Sequence, residues 1–314
     1  MSQLPLFEDP LPAPDPELVA LSRAIPEHVR FGTSSWTFEG WKGLVYRKAY
    51  SSRRELVRES LREYARFPLF STACVDRAYY GPLSAEDWRS LAAQVPEGFR
   101  FCTKVWNDVT TRMVDERIHP RFLDARVFLE SVALPLVEGL GDKAGPLVVQ
   151  LAPAPYRTEP RVFEDKLEGF LRDLPGDLHY AFELREPQLL TRRYLDVLRA
   201  HPSASHLFNL HTNMPAIGAQ LAGALMGDAA VVRLMIPPGE HYADRRDAYT
   251  PFDRLVKPNL PMRRDVLRVI EETRQRGMEL YVIANNKAEG CSPRTVIALV
   301  EALSRRSREA PPAR

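Results

Sequence analysis

Glu183 and Arg185 stand two residues apart at the downstream end of an apolar run, so in an extended strand both side chains leave the same face. A carboxylate and a guanidinium buried at such a place are costly unless they pair with each other or meet a substrate. A structural ion pair closing a rim and a functional pair fit that pattern equally well. Lys104 ends a second run after Phe99 and Phe101, and Arg233 ends a third. Gathered together, Lys104, Arg185 and Arg233 would make a cationic mouth suited to a phosphate or carboxylate group, with Glu183 as general acid or base. Amides occur at matching positions: Gln150 in an otherwise apolar run, Asn209 two residues before His211, and Asn285 followed by Asn286. Such amides orient the hydroxyls and amides of a polar substrate, although asparagine at a strand end also serves turns. Glu183 and Lys104 are thus the candidate catalytic pair. Arg185, Arg233, Gln150, Asn209, Asn285 and Asn286 are candidate substrate-binding residues. Trp36 and Tyr80 join them, since their rings lie in the first two strand-to-helix regions, where they stack on a ligand or pack in the core.

Eight short apolar runs must bring these groups together: 29–35, 70–77, 99–105, 146–152, 178–185, 206–212, 229–236 and 279–286. Amphipathic helical stretches lie between them, as Val57, Leu61 and Tyr64 or Val296, Val300 and Leu303 show by their spacing. Ser52 with Glu55 and Ser84 with Asp87 have capping-box spacing, and Ser292-Pro293 marks another helix start. Eight alternating units close a parallel barrel, and the downstream strand ends then converge on the face where active sites sit. The expected fold is α/β, a TIM-type (β/α)8 barrel over residues 28–304. An extended proline-rich leader (1–27) precedes it, with a short helix starting near Glu17, and a disordered basic tail (305–314) follows. Two connections, Trp106 to Pro120 and Pro237 to Pro261, are long and leave the predicted active face, as lids or specificity loops do.

Composition narrows the classes. With 314 residues and 45% hydrophobic content, one large core is affordable, and a formal charge of +2 gives no general footprint for nucleic acid. Cys74, Cys102 and Cys291 form no CxxC pair, which suits reduced thiols and a cytoplasmic location. Charged residues interrupt every apolar stretch before the roughly 20 residues a membrane span needs, and the N-terminus shows no secretory signal. Seven histidines without an HxxxH pair define no metal site, and an oxygen-ligand site using Glu183 and Asp76 is the one arrangement left open. The glycines from Gly139 to Gly145 follow a helix instead of a strand and do not make a dinucleotide loop, and no Walker or GxSxG motif occurs. The spacing names no cofactor.

Gly32-Thr-Ser-Ser-Trp36 with Trp41, Gly43 and Tyr46 resembles the opening motif of the YecE-like family, domain-of-unknown-function family seventy-two. Phe99-x-Phe-x-x-Lys104, Gly145-Pro-Leu-Val-Val-Gln-Leu151, Phe182-Glu-Leu-Arg185 and Tyr281-Val-Ile-Ala-Asn-Asn286 follow in that family's order, over roughly residues 29–303. The resemblance implies a TIM-barrel-like fold and supplies no reaction. The chain departs from the pattern where Cys74 stands for a usual glutamate and Asn209 for a usual aspartate. Separately, Gln3-Leu-Pro-Leu-Phe7 resembles the peptide by which bacterial replication and repair proteins dock on the sliding clamp, with Leu6 and Phe7 for an apolar pocket and Gln3 beside it.

Three functions follow. One is a barrel enzyme, or former enzyme, acting on a small polar anionic substrate by isomerase, lyase or hydrolase chemistry. Another is a DNA-metabolism factor tethered to the clamp, whose mouth binds nucleic acid. The third is a ligand-binding barrel without turnover.

Overall fold

All eight apolar runs become strands of one sheet in the structure, a computed structural model that describes Leu11, residues 13–153 and residues 159–309. The nine strands are β1 (Val29–Thr33), β2 (Thr72–Val75), β3 (Arg100–Lys104), β4 (Ala144–Gln150), β5 (Tyr180–Glu183), β6 (Ala204–His206), β7 (Phe208–Leu210), β8 (Ala229–Leu234) and β9 (Glu279–Ala284). Every pairing is parallel, in the order β6-β5-β4-β3-β2-β1-β9-β8-β7. The two ends of that order, β6 and β7, are consecutive in the chain and separated by Leu207 alone. The sheet is therefore a nearly closed parallel barrel with helices packed around it.

The seam explains why nine strands stand where eight runs were expected. β6 pairs with β5 and β7 with β8, so the run 206–212 serves two neighbours in turn. Gln220 covers the gap: its carboxamide accepts the Asn209 backbone N–H at 3.2 Å and donates to the Asn209 carbonyl at 2.7 Å. Backbone groups buried without a partner are expensive, and here a side chain replaces the missing strand.

Two cores hold the barrel. The larger lies between sheet and helices, and includes Phe31, Trp41, Tyr64, Phe163 and Tyr194. The smaller fills the barrel itself with Cys74, Cys102, Val148, Ala181, Leu207, Val231, Tyr281 and Ile283, so the lumen is packed. All three cysteines are buried and free. At the upstream end Arg30 Nη2 pairs with Glu279 Oε1 at 3.3 Å, and Glu279 Oε2 accepts from the Tyr281 hydroxyl at 3.0 Å.

Caps follow the local spacing. Ser84 and Asp87 form the expected capping box on Ala85–Ala92, and Ser52 accepts from the Glu55 N–H at the start of Arg53–Tyr64. In the leader, Asp15 caps a helix, Pro16–Ser22, whose Leu18 and Leu21 pack on the core. The last helix, Ser292–Glu309, passes the expected boundary at Ser304, because Arg306 and Arg308 in its final turn meet the negative end of the helix dipole. No helix among the described residues is long and apolar enough to cross a membrane.

Burial also sets a pH dependence. His206 is fully buried between the Tyr194 hydroxyl (3.1 Å) and Gln220 (3.3 Å), and burial pushes its pKa down to about 4. A folded value below the free value of 6.5 means that its contribution is complete above pH 6.5 and drains as the pH falls towards 4. The loss is about 1.4 kcal/mol per pH unit. The melting temperature should fall over that window, and His206→Asn should flatten the slope; parallel profiles for the two proteins would refute this assignment.

Candidate active site

Strand alternation sends Lys104, Gln150 and Glu183 into the barrel from the last positions of β3, β4 and β5 and Arg233 from the penultimate position of β8, with Asp76 and Arg185 just beyond β2 and β5. Glu183 is the centre and is fully buried. Its Oε1 accepts from Arg185 Nε at 3.2 Å and Nη2 at 3.0 Å, and its Oε2 accepts from Arg233 Nη1. Gln150 Oε1 bridges the same two guanidiniums, 2.8 Å from Arg185 Nη2 and 3.2 Å from Arg233 Nη1. Arg233 Nη2 then faces Asp76 Oδ1 at 3.7 Å, and Lys104 Nζ lies 3.4 Å from that same oxygen.

Burial alone would raise the Glu183 carboxyl, but Arg233, then Arg185 and Lys104, outweigh it and hold the group at about 2. Glu183 is therefore ionised and saturated with donors. Burial, followed by the charge of Arg233, lowers Lys104. Three cations face two carboxylates in this cluster, which leaves one positive charge over. Arg233 is fully buried, and its Nε and Nη2 have no hydrogen-bond acceptor. Asp76, with about a third of its side chain exposed, opens the cluster to solvent. Burial, then Arg185, pushes His211 down to about 4, so a neutral imidazole stands beside the cluster.

The other candidates are placed differently. Asn285 caps the turn Asn286–Glu289 by accepting from the Lys287 N–H at 3.0 Å. Asn286 lies beyond the strand, in the first position of that turn, and its side chain is engaged elsewhere. It is buried, and its Oδ1 accepts from both the N–H (2.8 Å) and the hydroxyl (2.7 Å) of Ser292, fixing the start of the last helix. Asn209 is buried at the seam and donates to the Leu184 carbonyl at 2.7 Å. Trp36 packs in the core against Tyr64, whereas Tyr80 is 79% exposed. Gln3, Leu6 and Phe7 lie outside the described residues.

Asp76 and Tyr79 belong to the site more closely than the sequence reading placed them. Asp76 shares strand parity with Cys74 and ends a run, which was a readable signal. Tyr79, whose ring centroid is 4.8 Å from Lys104 Nζ, stands beside Tyr80 in the second strand-to-helix region, where an aromatic ring stacks on a ligand or packs in the core, and so carried the same signal as Tyr80. The oxygen-ligand arrangement is filled from within: Arg233 presents one nitrogen to Glu183 and another to Asp76, where a shared cation would have stood. Among the described residues, no group of three or more His, Cys, Asp or Glu could hold a metal ion.

Both long connections are braced. In 106–120, Asn107–Thr110 is helical, Met113–Val114 pairs with Arg117–Ile118, and buried Arg112 pairs with Glu186. In 237–261, Arg245 on Tyr242–Tyr249 donates to the carbonyls of Lys287 and Ala288, both at 3.0 Å, and Lys287 Nζ sits 4.2 Å from the Tyr242 ring centroid.

The family described as "Protein of unknown function DUF72" matches residues 30–314. No curated protein matches the chain. Among solved structures, a DUF72 family protein of Enterococcus faecalis V583 is similar at 21% identity, with 88% of this chain and 95% of that one covered and a TM-score of 0.63. A DUF72 family protein of Thermotoga maritima MSB8 is similar at 19% identity, with 88% and 99% covered and a TM-score of 0.62. At these identities the likeness concerns the fold.

Proposed function

From the premise that this chain belongs to the DUF72 family, whose description assigns no reaction, we propose a function built on its own residues: the barrel mouth binds a small polar substrate through an anionic group. One observation carries this reading. Arg233 is fully buried yet keeps two nitrogens, Nε and Nη2, without acceptors, and a bound phosphate or carboxylate would satisfy them. Arg185, which is 17% exposed in its side chain, supplies the second guanidinium. Glu183 is a positioning residue in this scheme, since all its approaches are taken by arginine donors. Proton transfer falls to Lys104 and Asp76, at the open side of the cluster. Counting β6 and β7 as one strand broken at Leu207 makes the barrel a (β/α)8 type, whose downstream strand ends are the usual seat of catalysis. Isomerase, lyase and hydrolase chemistry are all compatible with this set. The saturated Glu183 favours, as a second reading, a barrel that holds its ligand without turnover.

Calorimetric titration with inorganic phosphate and with malonate tests the anion site. At low ionic strength one of them should bind with a millimolar or tighter Kd, and Arg185→Met should weaken it at least about tenfold, ~1.4 kcal/mol. Binding of neither anion, or equal binding by the variant, would overturn the reading. Retention of a co-purifying ligand through turnover conditions would favour the non-catalytic form.

A further inference from the structure

Lys104 keeps company unlike that of the structural lysines. Lys143 Nζ donates to the carbonyls of Ala92 and Val95 at 2.7 and 2.8 Å, and Lys48 Nζ lies 2.6 Å from Glu59. Lys104 is 8% exposed, yet its Nζ makes no hydrogen bond among the described residues. Its nearest carboxylate oxygen, Asp76 Oδ1, is 3.4 Å away, longer than the about 2.7–2.9 Å of a charge-assisted hydrogen bond. The Tyr79 ring centroid lies 4.8 Å from Nζ. Burial, then Arg233, disfavours the ammonium form, which raises the share of free amine. These are the surroundings of a nucleophilic lysine.

We infer that Lys104 forms an imine with a 2-oxo acid, whose carboxylate lies on Arg233 and Arg185. The inference rests on the anion-binding reading and names its substrate class. Arg233 Nη2 and Lys104 Nζ both lie within 3.7 Å of Asp76 Oδ1, so the two nitrogens are no further apart than those two distances together. That limit admits a molecule in which the carboxylate is bonded directly to the carbonyl carbon, the most compact arrangement of an anion and an electrophile.

The step balances within the site. Asp76 takes a proton from the Lys104 ammonium, and the free amine attacks the carbonyl carbon to give a carbinolamine. Asp76 returns the proton to the carbinolamine hydroxyl, which leaves as water as the C=N bond forms. Ammonium and carbonyl have become iminium and water, with no oxidant or reductant required. The iminium then serves as an electron sink for bond making or breaking at the adjacent carbon.

The test is reductive trapping on the full chain, with glyoxylate and cyanoborohydride at neutral pH, read by intact mass and peptide mapping. One adduct per chain is expected on Lys104, at least about tenfold faster than on exposed lysines such as Lys42 and Lys257, and slowed by malonate. Lys104→Arg should reduce total labelling to the exposed-lysine background. Because the site is mapped in the wild-type chain, the test does not depend on how well that variant folds. Labelling spread evenly over the lysines, or unaffected by malonate, overturns the imine. Anion binding without selective trapping overturns the imine alone; loss of both removes the anion reading as well.

Discussion

Glu183→Met is expected to destabilise the protein by about 3–5 kcal/mol, the usual cost of breaking a buried ion pair from one side. Two guanidiniums then lose the carboxylate they share, one of them fully buried. Arg233→Met should cost less, because Glu183 keeps Arg185 as a partner. The double variant Glu183→Met/Arg233→Met should cost well below the sum of the two, since no unpaired charge remains at full burial. Chemical denaturation at pH 7 with an unchanged m-value measures all three, and additive costs would show that the pair is not coupled. The pH window is a second check. Glu183 is held at about 2, below its free value of 4.5, so its contribution is complete above pH 4.5 and is lost as the pH falls through 2. The gap between wild type and Glu183→Met should close over that range.

Gly32→Ala is the second severe change, about 3 kcal/mol or more. The added Cβ would lie 2.0 Å from the Thr72 carbonyl oxygen and 2.6 Å from its carbon, and both atoms are backbone. β1 cannot retreat, because β9 holds it through five residue pairs from Val29↔Leu280 to Thr33↔Ala284. The strain must fall on β2, which is joined to β1 at only two pairs, Gly32↔Thr72 and Thr33↔Ala73. Gly176→Ala is the comparison: nothing lies within 4 Å of that Cβ, so the change should stay within about 0.5 kcal/mol. Equal melting temperatures for the two variants would refute the packing argument.

The barrel was legible because most strands lie within predominantly apolar runs, as a sheet covered on both faces requires, with helix caps between. The break at Leu207 was not, since it depends on Gln220 reaching back to Asn209, a contact that no local pattern encodes. Parity decided the site. Lys104, Gln150, Glu183 and Arg233 were readable because each occupies an inward position at a strand end. Asn286 was grouped with Asn285 by type, although the strand ends at Ala284 and the helical turn that follows engages Asn286 with Ser292. The clustering of Glu183, Gln150 and both arginines across three strands depends on register, which sequence spacing does not supply.

β1 and β9 are neighbours in the ring, although one lies near the start of the chain and the other near its end. On the ribosome, therefore, the first strand emerges with one flank unclaimed and stays so until Glu279–Ala284 is made. At about 5–20 residues per second that wait lasts on the order of tens of seconds. Throughout it, Arg30 and Gly32, which share backbone parity with the His28 and Ser34 groups that bond to β9, offer an open backbone edge to any passing strand. Synthesis, more than the finished molecule, is when this protein most needs protection.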